Sequence, residues 1–160
     1  YFYSKSEWLD LINNFSSFCK LRQTNPLFIT STRTPIEVEE LIKEKFDVSM
    51  SVLYHSEKAR GKFDHLLYVA DNIFVTEDSS TMLSEAVSSG KKVISIFPQN
   101  INAPEKYLQI IKKYQGLGFI ERCGIENIDK FTFLGESNIQ DKVDSSRKNF
   151  QRSLVERIKD

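Results

Sequence analysis

Sulfur and imidazole are scarce in this sequence, and that scarcity closes several routes to function. Cys19 and Cys123 are the only cysteines, and His55 and His65 the only histidines. They fit no CxxC or zinc-ligand spacing and cannot complete a metal cluster, so no metal is expected; the two thiols read as free, in a reducing, intracellular setting. Charge of one sign is not in excess either, because Lys plus Arg and Asp plus Glu number 22 each. No overall field favours nucleic acid or an anionic membrane, and no nucleic-acid partner is expected. No apolar run approaches the ~20 residues of a spanning helix, and no signal peptide precedes the first helix. A cytoplasmic location is expected, with peripheral attachment to a membrane left open. Internal repeats and low-complexity linkers are also lacking.

What is present suits one globular unit. The chain has 160 residues, of which 40% are hydrophobic and 28% charged, enough for a single core and too few for two ordinary domains. It opens on Tyr1 and not on methionine. The expectation is a single Rossmann-like domain over residues 1–160, a fragment of a two-domain protein whose other part lies upstream.

Hydrophobic spacing alternates between helix and strand. From about Ser6 to Arg22, Trp8, Leu11, Ile12, Phe15, Cys19 and Arg22 recur at helical spacing, with Leu9 and Phe18 widening the apolar face. On so regular a stripe Trp8 is expected in the core and not stacked on a ligand. Asn25-Pro26 breaks the chain, Leu27 to Thr30 reads as a buried strand, and Ser31, Thr32, Arg33, Thr34 and Pro35 follow as a turn. Thr34 is the expected N-cap of the next helix, with Glu37 completing a capping box and Pro35 at the first helical position. Val38, Leu41, Ile42 and Phe46 carry the apolar face of that helix. Ser51 to Tyr54 is then a strand ending at His55.

The second half repeats the alternation. A short helix is predicted over Asp64 to Ala70 with His65 exposed, then a strand at Ile73 to Val75 and a helix carrying Met82, Leu83, Ala86 and Val87. Gly90, Lys91 and Lys92 close that helix, Val93 to Phe97 is a strand, and Gln99 to Asn102 a loop. A helix from Pro104 with Tyr107, Leu108, Ile111 and Tyr114 ends at Gly116 and Gly118, and Phe119 with Ile120 adds a last extended segment. From about Asn138, Ile139, Val143, Phe150, Leu154 and Ile158 mark a narrow stripe on a long C-terminal helix. At least four short strands alternating with helices predict an α/β, Rossmann-like parallel sheet flanked by helices.

In such a sheet, ligands lie beyond the carboxyl ends of the strands, where the first turn of the following helix offers free N–H groups to an anion. Two stretches have the right chemistry there. Asp78, Ser79, Ser80 and Thr81 follow one strand, and on a helix starting near Asp78 the side chains of Asp78, Thr81, Met82 and Glu85 share an edge. A diphosphate at Ser79, Ser80 and Thr81 would put its ribose hydroxyls near the Glu85 carboxylate; the structural alternative is a capped amphipathic helix with Glu85 merely half exposed. The other stretch is Ser31, Thr32, Arg33, Thr34: a five-donor guanidinium among hydroxyls, which suits phosphate, or simply a well-built helix start. His55 ends a strand on the same presumed side and is a binding candidate or an ordinary surface residue.

The residues also bear a resemblance. TEDSSTMLSEAVSSGKKV is similar to the nucleotide-sugar-binding segment in the C-terminal domain of GT-B glycosyltransferases, and Glu77 with Glu85 matches the E-x7-E spacing of many retaining members. Non-hydrolysing UDP-N-acetylglucosamine epimerases share a similar segment. More narrowly, FITSTRTP followed by VADNIFVTEDSSTMLSEAVSSGKKV resembles the mitochondrial fission family named for elongated mitochondria, whose bacterial members are described as predicted nucleoside-diphosphate-sugar enzymes. The resemblance covers about Leu27 to Gly118. It implies that Ser31, Thr32 and Arg33 face a diphosphate, that Ser79, Ser80 and Thr81 contact it from the helix end, and that Glu85 accepts from ribose. The turn Glu77 to Ser80 lacks the glycine that many glycosyltransferases carry there.

The resemblance thus implies the donor-binding, C-terminal half of a GT-B-like fold, with a nucleotide-diphosphate sugar as donor substrate and no other cofactor. The acceptor site and catalytic base would belong to a missing N-terminal Rossmann-like domain, so no catalytic residue is assigned. A non-catalytic interaction or scaffolding domain is the competing expectation, and an epimerase-like domain another, for which no acid-base pair is evident. A receiver-like module would need an acidic cluster after the first strand, and Ser31 to Thr34 supplies none.

Overall fold

The computed structural model describes residues 3–56, 63–132, 141, 143–145 and 148. The C-terminal helix expected from about Asn138 therefore lies almost wholly outside the described residues, although Val143 of its stripe is buried in the core.

The chain begins with α1 (Lys5–Arg22), whose start is a capping box: Ser4 Oγ accepts from the Glu7 N–H, and Glu7 Oε2 accepts from the Ser4 N–H at 2.7 Å. Its end is a left-handed residue, Gln23 at φ 53°, whose own N–H donates to the Lys20 carbonyl while the Thr24 N–H turns back to the Cys19 carbonyl. Trp8, Leu11, Ile12, Phe18 and Cys19 are buried, as the spacing predicts, but Leu9 is 43% exposed and does not widen the packed face. Next come α2 (Ile36–Lys45) and α3 (Phe63–Val69). Two strand-helix units follow: β1 (Asn72–Thr76), α4 (Ser80–Ser88), β2 (Lys92–Phe97), α5 (Glu105–Gly116) and β3 (Ile120–Gly124), with a short 3-10 turn at Ile125–Asn127.

The sheet is parallel in the order β1-β2-β3, with Ile73 opposite Val93 and Val93 opposite Ile120. Alternate residues point to opposite faces, which gives two cores. Ile73, Val75, Val93 and Ile120 meet Leu83, Ala86 and Val87 of α4 and Ile111 of α5. Ile94, Ile96 and Cys123 meet α1, α2 and a phenylalanine cluster in which Phe74 lies edge-on to Phe15 and Phe18 at ring distances of 5.2 and 5.3 Å. Leu83 and Ile94 are fully buried, each contributing roughly 1.5–3 kcal/mol of apolar burial. The architecture is α/β and Rossmann-like, a parallel sheet flanked by helices.

Three details differ from the sequence-based expectation. The strands expected at Leu27 to Thr30 and Ser51 to Tyr54 form a single parallel bridge, Ile29 with Val52, and do not join the sheet. The last strand runs on through Cys123 and Gly124, beyond the apolar pair that predicts it, because its inner residues include Arg122, a polar group that a hydrophobic pattern passes over. Finally, α2 starts one residue late. Pro35 occupies the cap, and Thr34 Oγ1 turns back to accept from the Ser31 N–H at 3.2 Å, so the box with Glu37 does not form. A residue before proline is held extended, which fits Thr34 as the last residue of the turn. Among the described residues, no helix is long and apolar enough to cross a membrane.

Candidate functional site

At the carboxyl end of β1 the chain turns sharply into α4, and the turn is anchored from below. The Glu77 carboxylate, 1% exposed, accepts from Arg122 Nε and Nη2 at 2.7 Å each and from the Ser95 hydroxyl. Its N–H is shared between the Ile96 carbonyl at 3.0 Å and Tyr3 Oη at 2.9 Å, while the Tyr3 hydroxyl donates to that same carbonyl. Burial foremost, then nearby Asp78 and Glu77, raises the Tyr3 pKa against the lowering effect of the Glu77 N–H, so its hydroxyl stays protonated. The Arg122 guanidinium also stacks over Phe97, 4.4 Å from the ring centre. Glu77, which matches the first position of E-x7-E, is thus an interior anchor facing no open space.

Above this anchor α4 begins. Asp78 lies outside the helix, its carboxylate accepting from the Thr76 hydroxyl at 2.6 Å, and Ser79 is the N-cap, its hydroxyl accepting from the Met82 N–H. The helix therefore starts two residues later than expected, because Asp78 turns back to Thr76 and leaves the capping to Ser79. Ser79 is buried, so its side chain closes the helix instead of facing solvent. Ser80 and Thr81 are exposed, and among the described residues their N–H groups have no partner, as the first helical positions generally lack one. A shallow groove of about 380 Å³ runs from them along the outer face of α4, lined by Ser80, Thr81, Ser84, Glu85 and Ser88. Glu85 is exposed within it.

The Ser31 to Thr34 turn reaches this helix start from the other side. Arg33 Nη1 donates to the Asp78 carbonyl at 3.1 Å, across 45 residues of sequence, while Arg33 and Thr32 remain exposed. Ser31 Oγ accepts from the Arg33 N–H, which curls the turn. His55 docks on its far end, Nε2–H donating to the Thr34 carbonyl at 3.1 Å. That bond fixes the tautomer with the proton on Nε2. The buried Glu39 carboxylate, 1% exposed, holds these two loops together by accepting from the Thr30 hydroxyl and from the His55 N–H.

The structure brings Arg33 of the Ser31 to Thr34 turn to the start of α4, sets Glu85 in one groove with Ser80 and Thr81, ties His55 to the turn through Thr34, turns Ser79 to capping and turns the Asp78 carboxylate back to Thr76, while Ser31 bonds within its own turn and Thr32 is exposed. Sequence reading missed Glu39, Arg122, Tyr3 and Tyr107. The Tyr107 pKa is raised by burial first and by the Glu77 and Asp78 charges, with the Arg33 and Arg122 charges pulling the other way. Glu39 is a charge inside a predicted helix and Arg122 a charge just past the predicted extended pair Phe119 and Ile120; periodicity alone assigns such residues to the surface. The Gln99 to Asn102 loop is pinned to the start of α1 by the Asn100 N–H, which donates to Glu7 Oε1. Among the described residues no group of His, Cys, Asp or Glu gathers in the manner of a metal site.

The family model described as mitochondrial fission ELM1 matches residues 1–132, which takes in both turns, the sheet and helices α1 to α5. Neither a curated protein nor a solved structure matches the chain.

Proposed function

Because the chain belongs to the mitochondrial fission ELM1 family, and because of what lies at its strand ends, we propose that it is the nucleotide-diphosphate-sugar-binding domain of a GT-B-type glycosyltransferase. The observation that carries this reading is the Arg33 contact with Asp78, which sets a guanidinium beside the unpartnered N–H groups of Ser80 and Thr81. A cation and a helix amino terminus converging on one spot suit a diphosphate, and the same groups would stabilise its charge as it departs as a leaving group. Glu85 lies one to two turns along the same face, where a ribose diol would meet a carboxylate acceptor. The acceptor and the catalytic base come from a second, N-terminal Rossmann-like domain in this reading. The test is calorimetric titration of the intact protein with UDP, GDP, ADP and CMP sugars. Micromolar to millimolar binding that Arg33→Ala weakens at least tenfold supports the proposal, and no heat with any of them sinks it.

A second reading has its own observation. Ser79 and Glu77 are both committed to holding the turn, and the turn has no glycine to admit a ligand against the backbone. These favour a non-catalytic interaction domain that keeps the fold. Binding of a nucleotide sugar without transfer or hydrolysis in the intact protein, with partner binding intact in Glu85→Ala, distinguishes it.

A further inference from the structure

Arg33 is the third residue of a turn that closes on itself. The Thr34 N–H donates to the Ser31 carbonyl at 3.0 Å, the Ser31 N–H to Thr34 Oγ1 at 3.2 Å and the Arg33 N–H to Ser31 Oγ at 3.2 Å. A turn held together in this way moves as one piece, so the direction of its guanidinium depends on what holds its two ends. Both ends are tied to segment 52–55. At the near end the Thr30 N–H donates to the Val52 carbonyl at 2.9 Å, and the Thr30 hydroxyl accepts from the Tyr54 N–H at 2.7 Å while donating to Glu39 Oε1. At the far end His55 Nε2–H donates to the Thr34 carbonyl at 3.1 Å. The His55 N–H donates in turn to the two Glu39 oxygens, at 3.2 and 3.1 Å. The contacts form a closed circuit from Glu39 through Thr30, the turn, Thr34 and His55 back to Glu39.

Two features of the circuit point to Arg33. Glu39 is a buried carboxylate, which is costly unless hydrogen bonds compensate it, and its hydrogen bonds go to Thr30, just before the turn, and to His55, which holds the last residue of the turn. The His55 ring is exposed, edge-on to Tyr54 at 5.1 Å, so it adds little to the core and its contribution is the bond to Thr34. We propose that His55 and Glu39 are positioning residues, which aim Arg33 at the start of α4 and do not themselves touch the anion. The guanidinium is delivered there already, Nη1 donating to the Asp78 carbonyl at 3.1 Å. A long, flexible side chain held in its bound direction before the ligand arrives loses less freedom on binding, and the pair raises affinity by that route. This inference rests on the proposed anion site, and within it gives His55 a task other than contact with the ligand.

Titration of the intact protein with inorganic diphosphate and with UDP tests the assignment, using variants of the exposed ring so that the core is left alone. His55→Ala weakens binding about tenfold, the scale of one hydrogen bond to a well-placed group. His55→Gln, whose amide N–H stands where Nε2–H does, restores affinity to within about twofold of the native protein. Added to Arg33→Ala, His55→Ala weakens binding no further, because the pair acts through Arg33. In the protein without ligand, the NMR order parameter of the Arg33 Nε–H falls by about a third in His55→Ala and holds in His55→Gln. Full affinity in His55→Ala overturns the positioning role. So does a loss in His55→Gln as large as in His55→Ala, or an equal loss from His55→Ala with and without Arg33, since either puts the imidazole itself at the ligand. No binding of either probe by the native protein overturns the anion site, and the order parameter then judges the positioning alone: a fall in His55→Ala supports it and an unchanged value overturns it.

Discussion

Glu77 and Arg122 meet in a two-pronged ion pair, Oε1 to Nε and Oε2 to Nη2, at 2.7 Å each, between the end of β1 and the middle of β3. The pair ties the strands flanking β2 at the level where α4 begins, so the position of the candidate site depends on it. Arg122 is 20% exposed at its side chain and Glu77 1%, which makes Glu77 the costlier charge to strand. Arg122→Ala is expected to destabilise the fold by roughly 3 kcal/mol, because it leaves a buried carboxylate with only the Ser95 hydroxyl for support. The double variant Glu77→Gln with Arg122→Met loses markedly less than the sum of the singles. Urea denaturation of the four proteins gives the coupling; strict additivity would count against the pair as an anchor.

Ser79 and Glu85 separate fold from ligand. Ser79→Ala removes the cap of α4 and costs about 1 kcal/mol of stability. Glu85 is exposed and, among the described residues, in no ion pair, so Glu85→Ala stays within about 0.5 kcal/mol of the native protein. In the proposed site it nevertheless lowers nucleotide-sugar affinity by roughly tenfold, as the loss of a hydrogen bond to a charged acceptor does. Thermal unfolding and titration of both variants check the two halves, and an Ala at 85 that leaves affinity unchanged removes Glu85 from the site.

Glu7 makes the N-terminal helix sensitive to acid. Burial works against its charge, but the Ser4 N–H and hydroxyl and the Asn100 N–H outweigh it, and the carboxyl ionises below its ordinary value. A folded pKa lower than the unfolded one contributes stability that is present above about pH 4.3 and is lost as pH falls through the lower, folded value. Glu7→Gln should therefore cost about 1 kcal/mol at pH 7. Its difference from the native protein should vanish in denaturation curves taken at decreasing pH below 4.

The two thiols are kept neutral. Burial first, with the Glu126, Glu121 and Asp129 carboxylates beside it, pushes Cys123 up to about 11, and burial raises Cys19 against a hydrogen bond from Thr24. Neither should react with iodoacetamide at pH 8 in the folded protein, and both should react promptly in urea. The raised values also set a sign at alkaline pH. Their contribution is complete below about pH 8.5, where an unfolded thiol begins to ionise, and declines as pH climbs toward the folded values. Stability measured from pH 8 to 10 should fall more steeply in the native protein than in Cys19→Ala with Cys123→Ala.

Periodicity and punctuation carried most of the architecture: the stripe of α1, the apolar runs of β1 and β2, and the glycine that closes α4 are local signals, each set by neighbours within a few residues. The candidate site was legible to the same extent, since the Ser31 to Thr34 turn and the start of α4 are polar clusters behind apolar runs, and their order along the chain is a sequence property. Which charges go inward was not. Glu39 and Glu77 are buried and Arg122 half-buried because partners 16, 18 and 45 residues away complete their hydrogen bonds, and no spacing rule reports a partner at such separations. The same reason separates the expected four or more strands from the three found among the described residues. Strand character is local, but membership of a sheet depends on whether another strand's backbone arrives alongside, and at Leu27 to Thr30 only Val52 does. The sequence by itself determined which segments are helix, strand and turn. Tertiary structure decided which turns meet, which hydroxyl caps a helix instead of facing a ligand, and that Arg33 reaches Asp78, because those outcomes depend on contacts between residues far apart in the chain.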